Sequence, residues 1–589
     1  MSYSAPTADY LFLFEHLLAP SDIRRWPGGE DLNPLTFAAV LAENGKLASD
    51  LLAPLNAVGD RQGARWVDGD VHMPSGFKAA FDAYTGGGWQ GLQHPVEFGG
   101  QALPKFLAGA CMENINAANL SFALCPLLTD GAIEALLTAG SHTQKQRYIP
   151  RLIAGEWTGT MNLTEPQAGS DLAQVQTRAV PQADGSYRLT GQKIFITYGD
   201  HDLAANIIHL VLARTPDAPL GVKGLSLFIV PKLLIAADET LGERNAVFCR
   251  SIEHKLGIHA SPTAVLAFDG AVGELIGQEN AGLQYMFVMM NAARFAVGLQ
   301  GIGIADRAYQ QALDYARERV QSRPVDGSSD QPVPIAQHPD IKRLLLTMQA
   351  SVEAARALAC WAAYQHDVAQ HADEPAVRRQ AKTVYEFLVP IVKGCSTEMA
   401  VEVASMALQV HGGAGYIEEI GAAQYYRDAR ILPIYEGTTA IQANDLLSRK
   451  TVRDQAATVH HLLGMLEATV TELNALGGVH EEALPLAEGL QAAAADWRAC
   501  AEYLCVRYHD DINTAFAGAV PFLRMSGVVL GAWSLTKAWA AGVRQPPLAT
   551  DSDFLSRKGL VVRFFVHHLL PQTGALRHAV LHGRLVGHS

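Results

Sequence analysis

Paired cysteine motifs are missing from this chain. Its seven cysteines, Cys111, Cys125, Cys249, Cys360, Cys395, Cys500 and Cys505, contain no CxxC and are odd in number. This argues against structural zinc and a disulfide framework, suits a reducing compartment, and leaves the thiols to act as small buried hydrophobes. A basic surplus is missing too. With 59 acidic against 46 basic residues the net charge is -13, which argues against non-specific binding to nucleic acid or anionic lipid, since both need a Lys and Arg surplus at the contact. No uninterrupted run of ~20 apolar residues is evident. The most apolar late stretch, Met525 to Ala541, is broken by Ser526, Gly527, Ser534, Thr536 and Lys537 and reads as a buried core helix, with no integral membrane segment expected. The opening MSYSAPTADYLFLFEHLL lacks a basic region and carries Asp9 and Glu15, unlike a signal or transit peptide, so the expected location is cytoplasmic. Tandem repeats, low-complexity tracts and metal-ligand spacings are absent as well.

What is present is 589 residues, 49% of them hydrophobic, enough for three or four domains at ~150 residues each. To about Pro150 apolar residues recur at helical intervals, as in PLTFAAVLAENGKLASDLLAPLN, punctuated by Pro20, Pro27-Gly28-Gly29 and Gly86-Gly87-Gly88. Between Gly159 and Gly273 the period becomes two. TGTMNLT, VQTRAV, YRLTGQKIFIT, IIHLVLART, LSLFIVP and AVLAFDG read as strands. Helical periodicity returns after Gly282 and lasts to Lys450, apart from a Pro/Gly/Ser/Asp-rich loop at 321–337; a further helical region, split by Gly477-Gly478 and a Pro546-Pro547 linker, follows. The division expected is an N-terminal helical domain (1–157), a middle β domain (158–275), a helical bundle (276–450) and an additional C-terminal helical domain (451–589). In all this is an α+β chain.

Two segments carry chemistry. MNLTEPQAGSDL (Met161 to Leu172) leaves a strand into a turn whose main-chain N–H groups and hydroxyls, Thr164 and Ser170, suit the polar edge of a flat heterocycle or a phosphate. QVHGGAGYIEE (Gln409 to Glu419) holds Gly412 and Gly413, which either stop a helix or admit a close ligand. Beyond it, Glu436 stands between Tyr435 and Gly437, just before Thr438 and Thr439, either of which can N-cap the next helix. From spacing alone, Glu436 is either a carboxylate facing a helix N-terminus or a catalytic base.

Together these segments resemble the acyl-CoA dehydrogenase family. TEPQAGSD (Thr164 to Asp171), KIFIT (Lys193 to Thr197), KLGIHASPT, NAARFAVGLQG around Arg294, HGGAGY and IYEGTT occur in that family's order across nearly the whole chain. The added C-terminal domain is similar to that of the long bacterial members, a subgroup including fatty acyl-CoA and 3-methylthiopropanoyl-CoA dehydrogenases. The resemblance implies the acyl-CoA dehydrogenase fold, with a β-barrel-like middle domain and a four-helix bundle. It implies FAD as cofactor, and Glu436 as the base that removes an α-proton while the β-hydrogen leaves as hydride to flavin N5. It assigns Met161, Leu163, Thr164, Phe195, Thr197 and Thr438 to the flavin, and Ser170 to flavin and coenzyme A together. Arg319 and Gln409, Gly412 and Gly413 fall to FAD contacts shared across a dimer, and Asn291, Arg294 and Gly437 to substrate. For Asn291 and Arg294 the plain alternatives are a helix cap and a structural ion pair. Two positions depart from the family pattern: Gln321-Ser322-Arg323-Pro324 opens a longer loop, and Pro339 stands where a flavin-contacting glutamine is found.

The expected activity is α,β-dehydrogenation of an acyl-CoA to the trans-2-enoyl-CoA, the first step of fatty acid β-oxidation, with straight-chain thioesters favoured. Electron-transferring flavoprotein is the expected acceptor and a homodimer the expected assembly. The alternatives are a 3-methylthiopropanoyl-CoA dehydrogenase and an acyl-CoA oxidase. A DNA-associated alkylation-response flavoprotein is disfavoured, because residues 450–589 carry as many acidic as basic side chains. Pocket depth is assigned to the region of Asn114 to Cys125.

Overall fold

A computed structural model describes residues 3–18, 23–545 and 553–588; Pro20 and the Pro546-Pro547 linker lie outside them. Packing groups the chain into two compact units. One comprises 1–48, 104–118 and 294–589, the other 49–103 and 119–293.

The second unit joins helices, among them Phe77–Gly86, Leu120–Ala139 and His142–Ile153, to the strands. β1 (Arg65–Val67) and β2 (Asp70–His72) form a hairpin inside a stretch whose sequence pattern reads as helical. Its turn is Asp68-Gly69, with φ of 53° and 97°, the Asp-Gly chemistry that a two-residue hairpin requires. The main sheet contains β3 (Trp157–Asn162), β4 (Arg178–Pro181), β5 (Tyr187–Thr197), β6 (Asn206–Ala213) and β7 (Ser226–Pro231). A separate pair, β8 (Leu233–Ile235) and β9 (Leu241–Arg244), precedes β10 (Val247–Ile252) and β11 (Thr263–Ile276). The order is β3-β6-β7-β11-β5-β4, with β10 also on β11. Within this order β3 and β6 pair parallel and the other strand pairs are antiparallel.

All six expected strands exist, with adjusted limits. VQTRAV pairs only from Arg178, and AVLAFDG continues to Ile276 through bulges at Ala264/Leu266 and Asp269/Ala271. These bulges let one long strand bend from its pairing with β5 to its pairing with β7. Val71, Leu189, Val211, Phe228 and Phe268 fill the core behind the sheet. β8, β9 and β10 had no counterpart in the pattern reading, because they are short and β9 is wholly exposed.

The first unit is helical. Its long helices Pro339–His371 and Pro375–His411 pack along each other and receive the 26-residue helix Ala519–Arg544. Trp533 of that helix packs edge-on against Trp361 at 4.6 Å and donates from Nε1 to Thr469 Oγ1 at 3.0 Å. Leu462, Leu463, Leu466, Leu504 and Trp539 are buried, whereas Tyr503 is half-buried. The C-terminal region is thereby packed onto the bundle through an apolar face, each aliphatic side chain contributing ~1.5–3 kcal/mol of burial. The Met525–Ala541 segment is indeed a core helix, but longer than its sequence interruptions suggest. Leu120–Ala139, Gly282–Glu318 and Ala519–Arg544 are each long and apolar enough to cross a membrane by length and composition, and 72–83% of each such window is buried in the protein.

Buried charge fastens the N-terminal segment in this unit. Arg356, 2% exposed, donates to Glu113 from Nε at 2.9 Å and Nη2 at 2.6 Å, and to Asp9 at 3.0 Å, with Asp306 3.3 Å away. Lys558 bonds Glu353 at 2.7 Å and pairs with Asp9. Ions this deep persist only when paired on several sides.

Candidate active site

In the first unit the chain between Ala422–Ala429 and Thr439–Asp445 forms a tight loop with Glu436 at its apex. Glu436 has φ +54° and Gly437 φ +90°, two consecutive left-handed residues, of which only the glycine is free of steric cost. Such strain in a non-glycine residue costs of order 1–3 kcal/mol and is kept only where the surroundings enforce it. The enforcement is visible. Lys393, fully buried in the Pro375–His411 helix, donates from Nζ to Leu432 O at 2.9 Å and to Gly437 O at 2.7 Å. Gln442, also fully buried, donates to Glu436 O at 3.2 Å and Gly437 O at 3.1 Å. Thr438 is the N-cap of the next helix, its hydroxyl accepting from Ile441 N at 3.4 Å, while the Thr439 hydroxyl is taken up by Glu398.

The Glu436 carboxyl is pushed up to about 6 by desolvation, against the pull of the Arg294 and Lys393 cations. A carboxylate that titrates there combines basicity with ionisation at neutral pH, which is what general-base catalysis needs. Arg294 is 5% exposed, lies 3.7 Å from Asp445, and has an Nε without a hydrogen-bond partner. The ion-pair alternative for Arg294 therefore accounts for Nη1 and leaves the buried Nε without a partner. Tyr435 donates to buried Gln300, whose Nε2 is likewise unpartnered.

Asn291 is exposed and sits ten positions into Gly282–Glu318. It is mid-helix, which corrects the helix-cap alternative. Arg319, exposed near the C-terminal end of this helix, touches Gln321 Oε1 at 3.3 Å. The 321–337 loop is irregular, as its composition suggests, and is pinned by Gln321 N to Val333 O at 3.0 Å. Pro339 opens the next helix at N1. Gln409 is exposed, and Gly412, φ +60°, ends Pro375–His411. A Cβ added at Gly412 or Gly413 would meet nothing within 4 Å, so the pair stops the helix and has open space beside it.

In the second unit, Met161 is the one half-buried residue of the otherwise buried β3. Leu163 is 8% exposed, and its carbonyl accepts from Lys193 Nζ at 2.9 Å. The Thr164 carbonyl accepts from Ile194 N at 2.9 Å, leaving its hydroxyl without a partner among the described residues. Lys193, fully buried, also bonds Glu165 at 2.8 Å; burial draws its ammonium down to about 8 despite that partner. Glu165 further accepts from Gln176 N at 2.7 Å, Thr177 N at 3.1 Å and Thr177 Oγ1 at 2.6 Å. Phe195 is 58% exposed with φ +58°, an aromatic ring held in water by strained backbone. Thr197 is half-buried at the strand end and Ser170 is exposed in the adjoining turn. Sequence reasoning missed Lys193, Lys393 and Gln442 as supports. A buried lysine spent on carbonyls of another segment leaves no local pattern.

In the Asn114 to Cys125 region Asn114 and Asn119 are engaged in structure, whereas the buried Asn116 Oδ1 has no partner. Asn114 accepts from Tyr3 Oη at 2.9 Å and donates to Asn44 at 3.0 Å, and Asn119 caps Leu120–Ala139.

An exposed aromatic, an unpartnered hydroxyl and an apolar strand edge are what a flat heterocycle with a polar rim would require of a wall. A carboxyl raised to about 6 is able to accept a proton near neutral pH. The comparisons with known proteins give the class: a flavin-dependent oxidoreductase. The chain belongs to the acyl-CoA dehydrogenase family and is an FAD-dependent enzyme of that family. Its residues 59–156, 160–271 and 280–450 match the N-terminal, middle and C-terminal acyl-CoA dehydrogenase domains, and 462–586 match an acetyl-CoA dehydrogenase C-terminal-like domain. It is 50% identical to 3-methylmercaptopropionyl-CoA dehydrogenase of Ruegeria pomeroyi over 98% of this chain and 97% of that one. It is 35% identical to the broad-specificity linear acyl-CoA dehydrogenase FadE5 of Mycobacterium tuberculosis over 93% and 92%. Among solved structures, acyl-CoA dehydrogenase from Bacillus anthracis complexed with FAD superposes with a TM-score of 0.75 at 21% identity, over 94% of this chain and 89% of that one, which bears on the fold.

Proposed function

We propose that this enzyme removes the α-proton and β-hydrogen of a short acyl-CoA, with Glu436 as the base. The observation that carries this reading is Glu436 itself: a carboxyl raised to about 6, in a turn of positive φ, within the field of an Arg294 guanidinium whose Nε has no partner. FAD supplies the two-electron acceptor for the β-hydrogen. Met161, Leu163, Thr164, Phe195 and Thr197 would hold its ring, with Ser170 shared with coenzyme A. Arg319, Gln409, Gly412, Gly413 and Thr438 would hold the remainder. Asn291, Arg294 and Gly437 lie on the substrate side. Thr438 keeps only part of its capacity for this, since its hydroxyl already caps a helix.

For the acyl group, full-length similarity at 50% identity favours 3-methylmercaptopropionyl-CoA; a straight-chain fatty acyl-CoA, the substrate of the general β-oxidation step, is the second reading, supported by the 35% relative. The thioether is close in size to a pentanoyl chain, with sulfur replacing one methylene. Turnover of 3-methylmercaptopropionyl-CoA against pentanoyl- and longer acyl-CoAs, with a dye and with oxygen as acceptor, tests the assignment. A higher kcat/KM for the thioether than for pentanoyl-CoA is expected; equal or lower values would return the enzyme to general fatty acyl chemistry. Oxygen consumption matching the dye rate would make it an oxidase.

The four-domain division at 157, 275 and 450, a cytoplasmic location and electron-transferring flavoprotein as acceptor complete the reading. A homodimer is supported by Tyr416, Ile417 and Ile420, which are 90%, 50% and 40% exposed beside the Gly412-Gly413 face, and by the bundle surface that Ala519–Arg544 covers. Light scattering should return about twice the 63.3 kDa chain mass; a monomer with full FAD and activity would remove the shared-site argument.

A further inference from the structure

The three buried polar side chains around the Glu436 turn differ in kind. Gln442 is neutral, Arg294 carries charge but bonds no carbonyl of the loop, and Lys393 does both. Its ammonium enters no salt bridge with a carboxylate among the described residues. It is spent on the carbonyls of Leu432 and Gly437, which bracket the glutamate. Bringing a lysine into a fully buried position is expensive. Burial pulls this one down to about 8, with Glu436 the foremost charge opposing that fall. Two backbone bonds of this sort are available from a neutral amide, as Gln442 demonstrates on the same Gly437 carbonyl. The residue that a purely structural role requires is therefore already present, and the charge of Lys393 is left over.

We propose that Lys393 is a positioning residue for the base: its two hydrogen bonds fix the Glu436–Gly437 turn, and its positive charge, added to that of Arg294 and shared with Glu398, favours the ionised Glu436 carboxylate in a desolvated site. The inference rests on Glu436 being the base. The sign follows directly. A cation beside a carboxylate favours its charged form, so removing the cation raises the pKa of Glu436 and moves the acid limb of kcat/KM toward higher pH. Gln442 holds the same turn without charge, and its removal misplaces the base while leaving that limb where it was.

The test compares Lys393→Met and Gln442→Met in the FAD-loaded full chain, each checked for flavin content and melting temperature, in kcat, KM and the pH profile of kcat/KM. Both variants should lose ~10- to 100-fold in kcat, the scale on which small misplacements of catalytic groups act, with KM changed far less. Only Lys393→Met should shift the acid limb upward, by roughly half a unit or more. An unshifted limb in Lys393→Met, or an equal shift in both variants, overturns the charge role; wild-type kcat in Lys393→Met overturns the positioning role. Should Lys393→Met fail to fold, Lys393→Gln, which keeps a neutral donor, is judged by the same limb shift. Glu436→Gln separates the two levels. Full turnover there removes the base assignment itself, whereas a dead Glu436→Gln with an unshifted Lys393→Met removes only the inference about Lys393.

Discussion

Replacing Lys193 by methionine should unfasten the strand edge assigned to the flavin ring. Lys193 is fully buried and Glu165 is 3% exposed, so neither partner can recover its loss by turning to water. The substitution strips the Leu163 carbonyl of a donor and leaves the Glu165 carboxylate with its neutral donors alone. Breaking a buried pair on one side costs ~3–5 kcal/mol, which for a unit of this size is a fall of roughly 6–20 °C in melting temperature. Calorimetry of the FAD-loaded protein reads that fall directly. Flavin fluorescence during dialysis reads the second consequence, faster FAD loss, because Leu163 and Thr164 sit on the loosened edge. Replacing both partners, as in Lys193→Met with Glu165→Leu, should cost less than Lys193→Met alone, since no buried charge is then stranded. A single variant that melts within 2 °C of the wild type, or a double variant worse than the single one, would refute the reasoning.

Thr164→Ala deletes a hydroxyl that no described residue uses, and Arg319→Ala an exposed guanidinium. Both should keep the melting temperature of the apoprotein and weaken FAD retention, by ~1.5–3 kcal/mol for the charged contact, as read by equilibrium dialysis; full occupancy in both would remove them from the cofactor set. With Glu436 near 6, kcat/KM should rise with pH through about 6 and plateau above it, since only the ionised carboxylate accepts a proton. A profile flat down to pH 5 would show that no such group limits the reaction.

Much of this architecture was legible because its elements are long and periodic. The helices Pro339–His371 and Pro375–His411 and the strand Tyr187–Thr197 each show their own period over many residues. The β1–β2 hairpin carried a usable signal in Asp68-Gly69 but sat within a helical neighbourhood, and β8, β9 and β10 are too short for periodicity to resolve. At the site, ordered motifs led to Glu436, Thr164 and Phe195, but nothing local forecast that Glu436 and Phe195 would both adopt positive φ. Residues 393 and 437 lie far apart in sequence, and the bond between them is a property of packing. The same holds for Arg356, which gathers Asp9, Glu113 and Asp306 from three distant segments.

If Glu436 takes the α-proton, its amide must stall flavin reduction. Stopped-flow reduction of the FAD-loaded Glu436→Gln variant by its acyl-CoA substrate tests it most directly. The amide keeps the size of the side chain but cannot accept the proton. Flavin content and thioester binding should be retained while reduction slows by about 10³-fold, within the ~10²–10⁴ that a general base contributes; reduction at close to the wild-type rate would place the base on another residue.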